Sequence, residues 1–431
     1  MQEEEPTKFI QKSESTKPKF VLVHISGLET FICSLNPAAS LYEDVADSDK
    51  VFEYFSKLKE YLKEKDIKLI TVEEALSCNK ESDELMNLAI KSLNYEKIDK
   101  KIKEDENEPL EIKRKRKNSF EEFLKYSSDD YKKKVLEKFS KKRLIDVILT
   151  RPTIQLKHIE TDTHIEPTLI SFNPLGNLIF CRDQQITTQK GVIIGRTRTQ
   201  QRKFEHIIMK QAFKNLKVDI IGEIPEKDEY YLEGGDFFVA RENLCMCGVG
   251  LRTSIYGASY IAENDLLGTR YFAICYDEKD KDQQRMHLDT YFNILNDDNV
   301  VVIDFDEVGK QVNKKIYRKV YYYDNNEDVK EIQSDNESIQ NKLGQYKLVK
   351  IYDNFYEFLD AMKFNYIKIT HEEQKNYMIN FLNIGDNTVI SVNKDLEEKV
   401  KNLGINVKFI DCEHILNMYG GMHCMTQVSR F

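Results

Sequence analysis

Residues 191–222 read GVIIGRTRTQQRKFEHIIMKQAFKNLKVDIIG. A short β-branched run (GVIIGR) leads into an amphipathic stretch (KFEHIIMKQAFKNL) and then a second apolar run (KVDIIG). Two strand signals flanking one helix-length segment describe a strand–helix–strand unit. The same order recurs along the chain. KFVLVHI, VFEYFSKLKEYLKEK and DIKLITV form an earlier copy, and LCMCGVG, TSIYGASYIAENDL and TRYFAICY a later one. NTVISVN, KDLEEKVKNLG and INVKFID form the last, and NVVVIDF opens a weaker copy. In the first copy Val51, Phe55, Leu58 and Leu62 step by four, three and four and so share one helix face. In the last, Asp395 is placed as an N-cap and Gly404 as the residue just past the helix end. Repetition of one unit, in shape rather than in identical residues, predicts an α/β fold of internal repeats arranged about an axis.

Composition narrows the function classes. The 431 residues include 23 Phe and 23 Tyr, enough for a large core, and carry a net charge of -9. General nucleic-acid binding needs a basic footprint, so nucleic acid is not an expected partner. No apolar run approaches the ~20 residues that span a bilayer, so no membrane partner is expected either. The N-terminal MQEEEPTKFIQKSESTKPKF lacks the apolar stretch of a secretory signal. Eight irregularly spaced cysteines are no disulfide framework, and a reduced, cytoplasmic protein is the expectation. Cys245 and Cys247 share a strand face and read as buried core residues rather than a metal pair.

Between about Glu73 and Leu149 the strand-like runs give way to Lys/Glu-rich segments with helical spacing. The expected division is therefore 1–72 (first repeat), 73–149 (helical insertion) and 150–431 (remaining repeats). Within the insertion, Lys113 to Lys117 are five consecutive basic residues. They read as a solvated basic turn between helices, with a nuclear signal or an anionic docking patch as the functional alternative. The polar stretch from Asp324 to Lys347 reads as an exposed excursion or a mobile loop.

Three clusters follow the last strand of a repeat. Glu233 comes 12 residues after Ile221, in YYLEGGDFF; His287 comes 12 after Cys275, in RMHLDTYF; Cys424 comes 14 after Ile410, in GGMHCMT. If the repeats are equivalent about an axis, these clusters meet, which explains a thiol so close to the chain end. A thiol beside an imidazole can attack an electrophilic carbon, and the imidazole can protonate a leaving group. Glu233, Asp289 and Asp183 (from FNPLGNLIFCRD) surround that pair with carboxylates, an unsuitable setting for the oxyanion of acyl transfer but a suitable one for a cation. A guanidinium is planar, permanently charged and matched to paired carboxylates. Two other readings stand beside this one. His287 could be a core histidine satisfied by Asp289, and the Gly-Gly pairs could mark bulges or tight turns. His287, Asp289 and Glu233 could also ligate a metal, but a second well-placed His is lacking, because His423 would point away from Cys424 in an extended segment.

Taken together, FNPLGNLIFCRD, LEGGD, GVGLRTS, MHLDTYFNIL and GGMHCMT resemble the arginine deiminase family of the guanidine-modifying (pentein) superfamily, over nearly the whole chain. The resemblance implies a five-fold pseudo-symmetric ββαβ propeller with an inserted α-helical bundle. It implies hydrolysis of free L-arginine to citrulline and ammonia through a covalent thiouronium on Cys424, with His287 as acid and base. Glu233 and Asp289 would orient the His and hold the guanidinium. Asp183 would be a second clamp, Asn177 a substrate contact, and Arg202 and Arg252 the ligands of the α-carboxylate. No metal or organic cofactor is implied, and a homodimer or homotetramer is. Departures from the family pattern are Gly176, Gln184, the QQRKFE run around Arg202 and the short tail TQVSRF. The rival functions are a sibling activity on agmatine, dimethylarginine or another guanidine, and a catalytically silent arginine-binding homologue.

Overall fold

Alternation of β-branched runs with amphipathic helices builds the same small sheet five times. The computed structural model describes residues 9–78, 83–98, 109–158, 165–277, 279–312, 316 and 318–430. The chain before Phe9, and segments 79–82 and 99–108 of the expected insertion, lie outside them. In the first sheet Phe20–Val23 is central. It pairs in parallel with Lys68–Thr71 across the helix Ser48–Glu64, and antiparallel with Gln427–Ser429 from the end of the chain. The second sheet centres on Val192–Ile194, between Gln185–Thr187 (antiparallel) and Ile220–Glu223 (parallel). The third centres on Leu244–Val249, between Phe237–Arg241 and Tyr271–Tyr276. The fourth centres on Asn299–Ile303, between Phe292–Ile294 and Asn365–Ile369, and the fifth on Thr388–Ser391, between Leu382–Asn383 and Asn406–Phe409. In the second to fifth sheets the middle strand has an antiparallel neighbour before it and a parallel one after it, with a helix in between, and in the first sheet the antiparallel neighbour comes from the end of the chain. A parallel partner cannot be reached by a tight turn, so the helix is a geometric requirement of the register.

Amphipathicity docks those helices. On Ser48–Glu64 the residues Val51, Tyr54, Phe55, Leu58 and Leu62 are buried, as the step of four, three and four requires. The helix Ile255–Glu263 packs Ile255, Ala258, Ile261 and Ala262 into a core shared with Cys245, Cys247, Phe272 and Ile274. The two cysteines are core residues, and all eight cysteines are free thiols. In the fifth sheet Asp395 occupies the N-cap position without a side-chain cap bond, whereas Gly404 takes the left-handed conformation (φ +67°) that favours glycine after a helix. Among the described residues no helix is long and apolar enough to cross a membrane.

The chain divides into two bodies: residues 1–25, 49–75 and 177–431, and residues 26–48 and 76–176. This corrects the 73–149 insertion. The smaller body is not purely helical, because Asn94–Ile98 pairs with Pro152–His158, which pairs in turn with Ile165–Phe172. Residues 150–176 therefore belong with the insertion. NYEKI escaped notice as a strand because it is short, polar and largely exposed, so it has no apolar alternation to read. Residues 26–48 join the same body, not the first repeat, and contribute the helix Leu28–Ser34. The basic run lies within the helix Leu110–Tyr126, not in a turn, and Lys115 and Lys117 pair with Glu111 and Glu121 one helical turn away. In the larger body, residues 324–347 are anchored rather than loose. Ile339, Leu343 and Tyr346 are buried, Tyr321 Oη donates to Asp335 at 2.9 Å, and Lys319–Asp324, Lys342–Leu343 and Tyr346–Tyr352 extend the third sheet to six strands.

The packing makes a stability prediction. Leu58 is fully buried, and Phe52, on the same helix, is 58% exposed. Leu58→Ala is expected to lower unfolding free energy by about 2–5 kcal/mol. Phe52→Ala should change it by no more than about 0.5 kcal/mol in chemical denaturation.

Candidate active site

The turn entering the first strand of each of the five sheets carries a buried polar side chain. Asp183 stands two residues before Gln185–Thr187. Glu233 precedes the 3-10 turn Gly234–Asp236, which opens into Phe237–Arg241. His287 precedes the turn Leu288–Thr290, ahead of Phe292–Ile294. Asn380 stands two residues before Leu382–Asn383, and Cys424 sits in the helical turn Met422–Met425 ahead of Gln427–Ser429. Asp183, Glu233, His287, Asp289, Asn380 and Cys424 are all buried.

The imidazole of His287 is gripped from one side. Its Nε2 hydrogen-bonds Glu233 Oε2 at 2.8 Å, while Nδ1 has no hydrogen-bond partner and lies 3.8 Å from Asp183 Oδ1. Burial disfavours the imidazolium, but Asp183, Glu233 and Asp236 together hold the His287 pKa up at about 10. Burial likewise works against the Glu233 anion, and the bond from His287 overcomes it, lowering Glu233 to about 2. The neighbouring Asp236 accepts the backbone N–H of Leu288 at 2.8 Å, and burial raises its pKa to about 7. Gly235 makes room for this cluster. A Cβ there would stand 2.8 Å from His287 Nδ1 and 3.1 Å from Asp289 Oδ1, so the LEGGD glycine marks close approach rather than a bulge.

The turn that carries Cys424 is held from two other sheets. Asn380 donates Nδ2 to Cys424 Sγ at 3.2 Å, accepts the Cys424 backbone N–H on Oδ1 at 3.1 Å, and accepts the His423 N–H on its carbonyl at 3.1 Å. Arg182 donates its backbone N–H to the Cys424 carbonyl at 3.0 Å and Nε to the His423 carbonyl at 3.1 Å. A Cβ on Gly421 would lie 2.8 Å from Asn380 Oδ1, which explains the second glycine of GGMHCMT. Cys424 Sγ lies 3.6 Å from Asp289 Oδ2. Burial first, then Asp289 and Asp183, push the thiol pKa well above its ordinary value.

Two expectations change here. Asp289 does not pair with His287. Its Oδ2 takes a 2.8 Å hydrogen bond from His423 Nδ1, and its Oδ1 has no partner. His423 therefore does not point away. The segment is a helical turn rather than an extended strand, which swings the ring onto Asp289. That bond commits His423, so the metal reading gains no second histidine from it.

Arg202 also departs from expectation. It is buried, and each of its three nitrogens is spent: Nε on Glu205 (2.9 Å), NH1 on Asp183 Oδ2 (2.6 Å), NH2 on the carbonyls of Asn177 (3.1 Å) and Phe180 (3.3 Å). Burial opposes its charge, but Glu205 and Asp183 raise its pKa. It braces Asp183 and leaves no free nitrogen for a carboxylate. Asn177 contributes its carbonyl to that brace. Arg252 is half-buried, with Nε unpartnered and NH2 3.2 Å from Gln283 Oε1. Arg198, passed over in the sequence, is exposed. Its backbone N–H donates to Glu233 Oε1 at 2.9 Å, and its NH1 donates to the carbonyl of Leu251 at 3.0 Å, beside Arg252. Asn380 was missed as well. Counting back two residues from the strand of the fifth sheet would have found it.

A model of the arginine deiminase family matches residues 39–430. The arginine deiminase of Staphylococcus haemolyticus is 24% identical over 304 residues, which is 67% of this chain and 71% of that protein. The arginine deiminase of Borreliella burgdorferi is 26% identical over 273 residues, 60% and 62% of the two chains. Among solved structures, the product-bound N-terminal domain of ArgZ, an arginine dihydrolase of the cyanobacterial ornithine–ammonia cycle, aligns with 64% of this chain and 79% of its own, at a TM-score of 0.41 and 17% identity. Unliganded AgrE aligns with 64% of this chain but only 32% of its own length, at a TM-score of 0.41 and 17% identity. With the family match running from residue 39 to residue 430, the chain belongs to the arginine deiminase family.

Proposed function

We propose that this protein hydrolyses the guanidinium group of free L-arginine to citrulline and ammonia. The observation that carries the reading is a group of buried polar atoms near one thiol that have no hydrogen-bond partner among the described residues: Asp183 Oδ1, Asp289 Oδ1 and His287 Nδ1, with Asp236 Oδ2 and Arg182 NH2 close by. Buried polar groups are almost always paired, and the first three are the ones a ligand beside Cys424 would pair. Two carboxylate oxygens call for a planar, multiply donating cation, which a guanidinium is. Asp183, Glu233 and His287 also bring ligand-type atoms within 4.8 Å of one another. Glu233 is already spent on His287, however, and the thiol beside Asp289 gives an electrophilic carbon something to react with.

In this reading, bound guanidinium neutralises Asp183 and Asp289, which otherwise hold the thiol protonated. Cys424 loses its proton to solvent, and the thiolate adds to the guanidinium carbon. His287, charged near neutral pH, delivers its Nδ1 proton to the leaving nitrogen, the C–N bond breaks, and ammonia departs. A thiouronium remains on Cys424. His287, now neutral, takes a proton from water, and the hydroxide adds to the same carbon. The C–S bond then breaks as the hydroxyl proton of the adduct is lost to solvent, releasing citrulline and restoring the thiolate. Glu233 keeps the imidazole turned so that Nδ1 does this work, and the step needs no cofactor. The α-carboxylate is assigned to Arg252 and Arg198, with Arg202 replaced in that role because its nitrogens are committed elsewhere. The five sheets are proposed to close as the blades of a pentein propeller around the site, and the protein to work in the cytoplasm as a homodimer or homotetramer.

The direct test offers L-arginine, agmatine and dimethylarginine in parallel and follows citrulline, ammonia and amine. Arginine alone should be turned over, Cys424→Ala should abolish it, and a chelator should leave it unchanged. Turnover only of another guanidine would refute the substrate, and no turnover with arginine still bound would support the silent homologue.

Two finer outcomes follow. Arg198→Ala and Arg252→Ala should raise KM for arginine by about tenfold or more each, since a charge-assisted contact is worth roughly 1.5–3 kcal/mol. Arg202→Ala should instead lower the melting temperature, because it strips Asp183 of its buried partner. In the ligand-free protein, iodoacetamide should alkylate Cys424 only at pH above the ordinary thiol range. Guanidinium ion at saturating concentration should shift that curve to lower pH, because it cancels the two carboxylates that raise the thiol pKa. A curve unmoved by guanidinium would contradict the clamp.

A further inference from the structure

His423 lies between two buried carboxylates. Its Nδ1 bonds Asp289 Oδ2 at 2.8 Å, and its Nε2 faces Glu14 Oε1 at 3.5 Å. The ring stacks on Phe238, with centroids 5.0 Å apart and planes 10° apart. Its backbone is pinned at both ends, N–H to the Asn380 carbonyl and carbonyl to Arg182 Nε, while Nε2 makes no hydrogen bond among the described residues. Glu14 is fixed just as firmly. Its N–H donates to the Val239 carbonyl at 2.8 Å, its Oε1 accepts from Arg430 NH2 at 2.9 Å, and its Oε2 accepts from Gln11. Arg430 is itself fully buried near the chain end, where its backbone N–H donates to the Ile10 carbonyl and NH2 also reaches the Asn383 carbonyl at 2.9 Å.

We infer that His423, clamped between Asp289 and Glu14, is a positioning residue that keeps the Asp289 carboxylate turned with one oxygen beside Cys424 and the other toward the substrate pocket. The inference rests on the proposed function for the identity of the substrate, but not for the geometry. A carboxylate held by one donor keeps its second oxygen directed, and near-attack geometry of a guanidinium depends on that direction. The chain Arg430–Glu14–His423–Asp289 thus ties the two chain termini to the nucleophile. It accounts for a histidine immediately before Cys424 and for a buried arginine in the final residues, neither of which the hydrolytic steps use.

The charged surroundings set the sign. Cys424 faces Asp289 and Asp183. Asp289 faces His423, His287 and Arg182, and Glu14 faces Arg430, His423 and Arg182. Burial opposes the Asp289 anion, and the His423 bond leads the groups that lower its pKa. Burial opposes the Glu14 anion too, and Arg430 and His423 lower it to about 2. Asp289 is still charged at the pH where the thiol ionises, so removing the His423 donor leaves that charge less compensated and holds Cys424 protonated to higher pH.

The test uses the full-length protein with His423→Phe, which keeps a ring over Phe238 without nitrogens, and His423→Asn, whose amide nitrogen can stand in for Nδ1. Glu14→Gln perturbs the far side. Iodoacetamide labelling of the Cys424 peptide is followed against pH without substrate, alongside kcat and KM for L-arginine. His423→Phe should shift the labelling curve to higher pH while kcat falls on the order of 10²-fold, the penalty of a displaced reacting group. His423→Asn should move both readouts back toward wild type, and Glu14→Gln should shift the labelling curve in the same direction by less. A residue that merely packs would lower the melting temperature without moving the labelling curve. Equal behaviour of the Phe and Asn variants, or an unmoved curve, overturns the inference. If His423→Phe does not fold, Glu14→Gln decides alone, a shift supporting the inference and an unchanged curve refuting it. Labelling needs no turnover, so a protein inactive on arginine would refute the proposed substrate and still decide the role of His423.

Discussion

Four carboxylates, Asp183, Glu233, Asp236 and Asp289, are buried within one cluster around an imidazole and a thiol, and their mutual repulsion governs everything else in the site. Two unit charges 4 Å apart interact by about 4 kcal/mol even at the effective dielectric constant of ~20 suited to protein sites. The protein resolves most of this internally. Arg202 braces Asp183, His287 answers Glu233, His423 answers Asp289, and Asp236 gives up its charge near neutral pH. Among the described residues, one oxygen on each of Asp183, Asp236 and Asp289 is left without a hydrogen-bond partner, with His287 Nδ1 beside them. In the proposed reaction that remainder is met by a flat cation, and the thiol those carboxylates hold protonated becomes reactive when the cation binds, so that affinity and activation are one electrostatic event.

The backbone makes that cluster affordable. Each first strand is preceded by a tight turn, and tight turns place side chains with little freedom to relax. Five such turns, from Asp183, Glu233, His287, Asn380 and Cys424, supply the charged, hydrogen-bonding and nucleophilic groups separately. The terminal strand Gln427–Ser429 closes the first sheet by pairing antiparallel with Phe20–Val23, so the nucleophile is carried on a chain end that is fully docked. The short tail after Cys424, unusual as sequence, is the third strand of a sheet and the bearer of Arg430.

Much of this was legible beforehand for a definite reason. The β-branched runs and the helix faces have strong periods, so the recurring unit could be read, and the distance from strand to cluster was regular enough to bring Glu233, His287 and Cys424 together. What failed had no period to read. The pairing of Asp289 with His423 rather than His287 depends on a four-residue helical turn at Met422–Met425, too short to announce itself in sequence. Arg202 and Arg198 are four residues apart and chemically alike. Only the burial of one and the exposure of the other separates a brace with every nitrogen committed from a solvent-facing guanidinium. Asn380 lay in an apolar run, MINFLNIG, where nothing in the pattern sets it apart from Asn383, and the strand Asn94–Ile98 was hidden by its polarity.

The central claim is that Cys424 forms a covalent bond to the carbon of a guanidinium held by Asp183 and Asp289. The most direct measurement is intact-protein and peptide mass spectrometry after rapid acid quench of the protein mixed with L-arginine. The account predicts a transient mass gain equal to arginine less ammonia, confined to the peptide bearing Cys424. Citrulline production with no adduct at any time point, or an adduct on another residue, would contradict it.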